Sequence, residues 1–244
     1  WPAAGVLAAG LMRYPRGRWL ILALCTCVIV ATASGLDRSA RALIGALEIA
    51  VMVEFGRRVC GPHPDLSRPR ALFALLFGAI LPAAFISGAL LYLSGLPDPA
   101  VGWFELAVSW ALGHALGGAI FMPAVLILLD RRRHASLRTS LPELALSVLA
   151  LVATVLVLFQ FGKGWAFIVF PAAMVLAFRH GPAGAAATVL VLAAVALAYL
   201  YGWDVLPFLS SEIRAETGWV QFFVLVVLLT TLPAAGAVSS YARM

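Results

Sequence analysis

The chain has 244 residues, 63% of them hydrophobic and 11% charged, with a mean hydropathy of +1.01. Soluble domains hold nearer half apolar and about a quarter charged residues, so this composition excludes a soluble globular domain and marks an integral membrane protein. The net charge of +6 sits on arginines in short connections between apolar runs, a signature of membrane topology that excludes a nucleic-acid-binding surface.

Apolar runs separated by charged or Pro/Gly-containing punctuation predict nine helices, at about 2–12, 19–34, 40–55, 71–93, 104–129, 143–160, 165–178, 183–201 and 219–239. The fold class is therefore an all-α polytopic transmembrane helix bundle of about eight or nine membrane segments, some short or Pro-kinked. Segment 2–12 is too short to cross a roughly 30 Å hydrocarbon core, and 165–178 is also short for that purpose. Pro2, Pro123 and Pro171 are the expected kink and packing positions, because proline removes a backbone donor. The chain begins at Trp1 with no signal-peptide pattern. It is expected to be one domain, residues 1–244, of a longer protein whose opening helix and cytoplasmic output domain lie outside it.

Alternate connections carry Arg13/Arg16/Arg18, then Arg57/Arg58/Arg68/Arg70, then Arg131/Arg132/Arg133/Arg138, then Arg179, then Arg243. Arg38, Arg41, Lys163 and Arg214 lie on the opposite side, diluted by Asp37, Asp98, Asp204, Glu212 and Glu216. The arginine-rich side is cytoplasmic by the positive-inside rule, which puts Trp1 outside and the C-terminus in the cytoplasm. Arg57, Arg58, Arg131, Arg132, Arg133 and Arg179 are the expected topology anchors. Trp1-Pro-Ala-Ala-Gly-Val-Leu-Ala echoes Phe170-Pro-Ala-Ala-Met-Val-Leu-Ala, with Phe121-Met-Pro-Ala-Val-Leu as a fainter copy. Both a duplicated unit and recurring Ala/Leu composition explain that echo.

Segment 104–129 holds most of the unusual features. His114 lies near its middle, where an ionisable group is costly and marks function or structure. Gly113 and Gly117 form a small-xxx-small pair suited to close helix approach. Glu48 lies about nine residues into another segment that runs in the same direction. At 1.5 Å per residue both side chains fall roughly 14 Å below the outer surface, so the two can meet where their helices touch. Such a pair is either a proton- or ligand-sensing centre or a structural hydrogen bond between helices. Glu54, just before Arg57 and Arg58, reads as an interfacial ion pair.

Catalytic signatures are missing from the sequence: there is no Gly-x-Ser-x-Gly, His-Glu-x-x-His, phosphate-binding loop or paired-carboxylate motif. Neither an enzyme nor a cofactor is expected. Cys60-Gly-Pro-His63 is half of a metal-ligand spacing with no second half, and Cys25-x-Cys27 points two ways around an apolar helix. No metal site is expected, and three scattered cysteines make no disulfide framework. The connection 202–218 carries Trp203, Leu206, Pro207, Phe208 and Leu209. It reads as an interfacial anchor or the cover of an outward pocket, with Ser210 or Ser211 capping a short helix over 212–215.

Several of these pieces together resemble the type-one membrane-associated sensor domain family (the MASE class). They are Trp1-Pro-Ala-Ala-Gly, Gly45-Ala-Leu-Glu48 leading to Arg57-Arg58, Trp110-Ala-Leu-Gly-His-Ala-Leu-Gly117 followed by Pro123, and Pro171 through Phe178-Arg179-His-Gly-Pro182. The family usually carries an acidic residue where His114 stands, so the resemblance transfers no role to that position. It implies a multi-pass sensory input domain of the bacterial inner membrane. Such a domain passes a ligand or membrane signal to a C-terminal histidine kinase or cyclic-di-GMP enzyme and forms a homodimer through the full-length protein. Glu48, His114 and Trp110 are the expected sensing set, and the lipid bilayer, an unidentified small molecule and a membrane partner protein are the expected partners. A small-molecule transporter is the competing reading, since proline-interrupted helices and a midplane ionisable pair also suit alternating access.

Overall fold

The computed structural model describes residues 2–15, 25, 36–94, 102–130, 141–161, 168–200 and 213–241. All regular structure among them is helical: α1 Pro2–Arg13, α2 Leu36–Cys60, α3 Pro69–Leu75, a π-helical turn Leu76–Ile80, α4 Leu81–Leu93, α5 Trp103–Leu129, α6 Leu141–Phe161, α7 Val169–Leu200 and α8 Ile213–Tyr241. The predicted segment 19–34 lies outside the described residues apart from Cys25, as do Trp1, the Arg131–Arg133 cluster and most of the connection 202–218. The chain divides into two compact units. Unit 1 holds Trp1–Asp65 and Arg70–Met122, and unit 2 holds Leu66–Pro69 and Pro123–Met244.

Among the described residues, three helical stretches are long and apolar enough to cross a membrane: Pro69–Leu93, Trp110–Leu129 and Val169–Val195. Ala3–Arg13, Pro142–Leu156 and Phe222–Val238 are apolar but shorter. The expected eight or nine segments are thus not reached among the described residues. One reason is visible in α2, which runs on past both ends of the predicted 40–55 and takes in Arg38, Arg41, Arg57 and Arg58. Backbone hydrogen bonding does not stop where hydrophobicity does, and Arg is itself a good helix former.

In unit 1, α2 packs against α1, α4 and the π turn. Met12, Met52, Leu72, Leu75, Ile80 and Leu91 are fully buried there. The predicted helix 71–93 is one rod in three pieces, and Pro82 explains why. It has no N–H to give the Gly78 carbonyl four residues earlier, and the π turn just before it takes up the misfit, with the Leu81 N–H reaching back to the Leu76 carbonyl.

Arg57 does more than anchor topology. Its guanidinium donates to the carbonyls of Met12 (3.0 and 2.7 Å), Leu11 (3.2 Å) and Tyr14, so it satisfies carbonyls that the C-terminus of α1 leaves over. Arg57→Ala is expected to destabilise unit 1 by about 1–3 kcal/mol, the range for hydrogen bonds to a charged group. Arg57→Lys should not restore the loss, because an ammonium lacks the planar fork. Unfolding of both variants in nanodiscs checks this. Arg58 instead pairs with Glu54 at 2.9 Å one turn away, on an exposed face, where such pairs contribute a few tenths of a kcal/mol.

The close approach expected at Gly113 and Gly117 takes a different form. A Cβ on Gly113 would meet nothing within 4 Å, so Gly113 is not a packing position. Gly5 on α1 makes the contact instead. Its Cβ would stand 2.7 Å from the Phe121 Cβ and 2.9 Å from the Gly117 carbonyl, so only a glycine lets α1 lie against this stretch of α5. Pro2 is the first residue of α1, where a missing N–H is harmless, and α5 continues as α-helix through Pro123.

In unit 2, α7 packs against α6 and α8, with Phe170 and Phe223 edge to face at 5.5 Å. The kink expected at Pro171 is corrected: Pro171 lies in the first described turn of α7, where its missing donor is already surplus. The break falls at Gly181, whose φ of 61° and ψ of −151° are non-helical, followed by Pro182. The arms 169–180 and 182–200 fold together there, since a Cβ on Gly184 would stand 2.3 Å from the Leu176 carbonyl oxygen. The predicted separation into 165–178 and 183–201 thus corresponds to a real break, and Val169–Val195 does not run as one straight rod. α8 begins at Ile213, so residues 213–215 are its first turn and not a separate short helix. Near its other end, Gly236 lies against the backbone of Ser67.

Candidate functional site

Three helices of unit 1 converge on one carboxylate. Glu48 sits midway along α2 and is 1% exposed. Its Oε2 accepts a hydrogen bond from the Ser87 hydroxyl of α4 at 2.8 Å and lies 2.7 Å from His114 Nδ1 of α5. A carboxylate oxygen can only accept, so Nδ1 carries the proton, and the distance is that of a charge-assisted bond. Ser87 also lies 2.9 Å from the Ala84 carbonyl and shares its one proton between the two acceptors. The Trp110 indole N–H donates to Ser87 Oγ at 3.1 Å. The Trp110 ring stacks on the His114 imidazole with centroids 4.1 Å apart and planes 19° apart.

The local sequence explains the convergence. Trp110 and His114 are four apart on α5 and share a face. Ala111 and Ala115 are buried beside them, and their small side chains leave room for neighbours. The arrangement locks Ser87 between a donor and an acceptor. It leaves one buried polar atom of the centre, Glu48 Oε1, without a partner among the described residues, and the His114 side chain is 23% exposed. A centre of this kind can hold a proton or accept a donor without any covalent chemistry.

The predicted pair Glu48 and His114 is thus in contact, and Trp110 joins it. Ser87 is the member that sequence reasoning missed. Its only signal was a hydroxyl in an apolar helix, and serines are common there because they can bond back to their own helix. Gly113 and Gly117 do not touch the centre, and Pro123 and Pro171 belong to unit 2. Unit 2 has a smaller polar contact of its own. His180, 3% exposed, lies 3.0 Å from Ser147 Oγ, and Ser147 donates to the Glu143 carbonyl at 2.8 Å. Arg179, beside His180, is exposed.

No group of three His, Cys, Asp or Glu suited to a metal ion occurs among the described residues. Cys60 donates its S–H to the Ala71 carbonyl at 3.5 Å. Burial pushes its thiol above the usual range, which lowers the thiolate fraction. Cys60 is therefore expected to react with maleimide several-fold more slowly than a free thiol at about pH 8, and to catch up as pH rises. A labelling time course checks this.

Large apolar side chains face outward along these helices: Leu47, Phe77, Leu93, Leu112, Leu146 and Val175 are 48%, 62%, 77%, 50%, 68% and 60% exposed. Apolar helices with an apolar exterior and a buried polar centre define a helical membrane protein. The MASE1 family model matches residues 1–242, and the chain belongs to this family of membrane-associated sensor domains. The family is sensory and non-catalytic, so this chain is not an enzyme. No curated protein matches the chain, and no solved structure matches it.

Proposed function

We propose that this chain is the multi-pass input domain of a bacterial inner-membrane signalling protein, passing a ligand or membrane signal to a cytoplasmic C-terminal module, a histidine kinase or a cyclic-di-GMP enzyme. Glu48, His114 and Trp110, with Ser87, form the detecting centre. The observation that carries this reading is the 2.7 Å contact between a fully buried carboxylate and an imidazole on a different helix, within a chain of the MASE1 family. Anything that changes the proton or donor count at this centre changes which helix arrangement is favoured, and that differential is what a sensor transmits.

The arginine distribution supports a cytoplasmic C-terminus, where α8 would hand the change to the output module, and a homodimer of the full-length protein would receive it. The test is the output activity of the full-length protein with Glu48→Gln or His114→Ala. Each is expected to shift the response by severalfold, and wild-type signalling across pH and ligand conditions in both would defeat the reading. The transporter alternative predicts solute flux through proteoliposomes, which the sensory reading does not.

A further inference from the structure

We propose that the free oxygen of Glu48 is the docking point for a small ligand carrying a primary or secondary ammonium group, which brings one positive charge and an N–H donor together. This rests on the reading of the centre as the detecting site, and names the chemistry it detects. The first observation is a count of bonds. Oε2 of Glu48 carries both hydrogen bonds, from Ser87 and His114, while Oε1 is buried with no partner among the described residues. Buried polar atoms are satisfied as a rule, and a carboxylate oxygen is satisfied only by donors.

The second observation is a count of charges. Ser87 and His114 are the carboxylate's only partners among the described residues, and Arg41, two turns earlier on α2, is exposed. No Lys or Arg side chain is among those partners, and a bound ammonium supplies both a donor and a counter-charge to a buried carboxylate. The stacked Trp110 and His114 rings add an aromatic surface of the kind that attracts ammonium groups. The His114 side chain is 23% exposed and forms the open edge of the centre.

A metal ion fits less well. Sodium-like or calcium-like ions gather about six oxygens, whereas this centre offers Glu48 and Ser87. An ammonium N–H needs one strong acceptor and a ring face. The groups facing Glu48 are His114 and Trp110 from α5 and Ser87 from α4. The ionisable side chain described on α1, Arg13, lies at that helix's far end.

The test uses the full chain in lipid nanodiscs, titrated with methylammonium chloride and followed by calorimetry and tryptophan fluorescence, with Trp110→Phe assigning the optical signal. Tetramethylammonium chloride, a cation without an N–H, and sodium chloride are the controls at equal ionic strength. Methylammonium is expected to saturate while the controls do not. Glu48→Gln should weaken its affinity by about tenfold or more, about 1.4 kcal/mol. Equal responses to all three cations, or unchanged methylammonium affinity in Glu48→Gln, would overturn the proposal. If Glu48→Gln does not fold, the comparison of methylammonium with tetramethylammonium on wild-type protein decides alone. Output that depends on Glu48 without methylammonium binding would retire the ligand class and keep the sensory reading. Methylammonium binding that leaves output unchanged would do the reverse.

Discussion

Glu48→Ala is expected to lower the stability of the chain in nanodiscs by about 1–3 kcal/mol. Two bonds are lost, to Ser87 and to His114, and interhelical hydrogen bonds in membranes average about 0.6 kcal/mol each with a maximum near 1.7. The truncation also leaves two donors facing a vacated apolar space, which adds an unsatisfied-donor penalty. Glu48→Gln keeps the volume and one acceptor oxygen, so it should recover about half of the loss. A denaturant titration of the three proteins decides the point, and equal midpoints would show that the carboxylate does not tie these helices together.

A comparable loss is expected in unit 2 from Gly181→Ala. At φ 61° and ψ −151° a side chain is strained whatever space surrounds it, and such conformations cost of order 1–3 kcal/mol in residues other than glycine. The break positions the two arms of α7, so the variant either bears the strain or straightens, and straightening pulls Gly184 away from Leu176. Alanine at Val175, which is 60% exposed, is the control. A midpoint for Gly181→Ala within error of the Val175→Ala control would contradict the assignment.

Depth was legible in the sequence. Counting residues into two segments placed Glu48 and His114 at one level, and they meet. Segment 104–129 also agrees with α5 to within a residue, because no Asp, Glu, Lys or Arg lies between Glu105 and Asp130. Partners across helices were less legible. Ser87 gave no periodic signal, and Arg57 read as topology because its charge is visible in sequence while the orphan carbonyls of α1 are not. Gly113 and Gly117 carried the spacing of a packing motif, yet spacing cannot say which face meets a neighbour, and Gly5 is the glycine that makes the contact. Pro171 drew attention as a helix breaker, but a proline in the first turn breaks nothing. The non-helical residue is a glycine ten positions on.

Whether the Glu48 centre is felt at the far end of the chain is answered most directly by hydrogen exchange on the full chain in nanodiscs, wild type against Glu48→Gln. Transmission to an output module predicts altered protection around Glu48, Ser87 and His114 and also along α8, from Phe222 toward Tyr241. Altered exchange confined to α2, α4 and α5, with α8 unchanged, would contradict it.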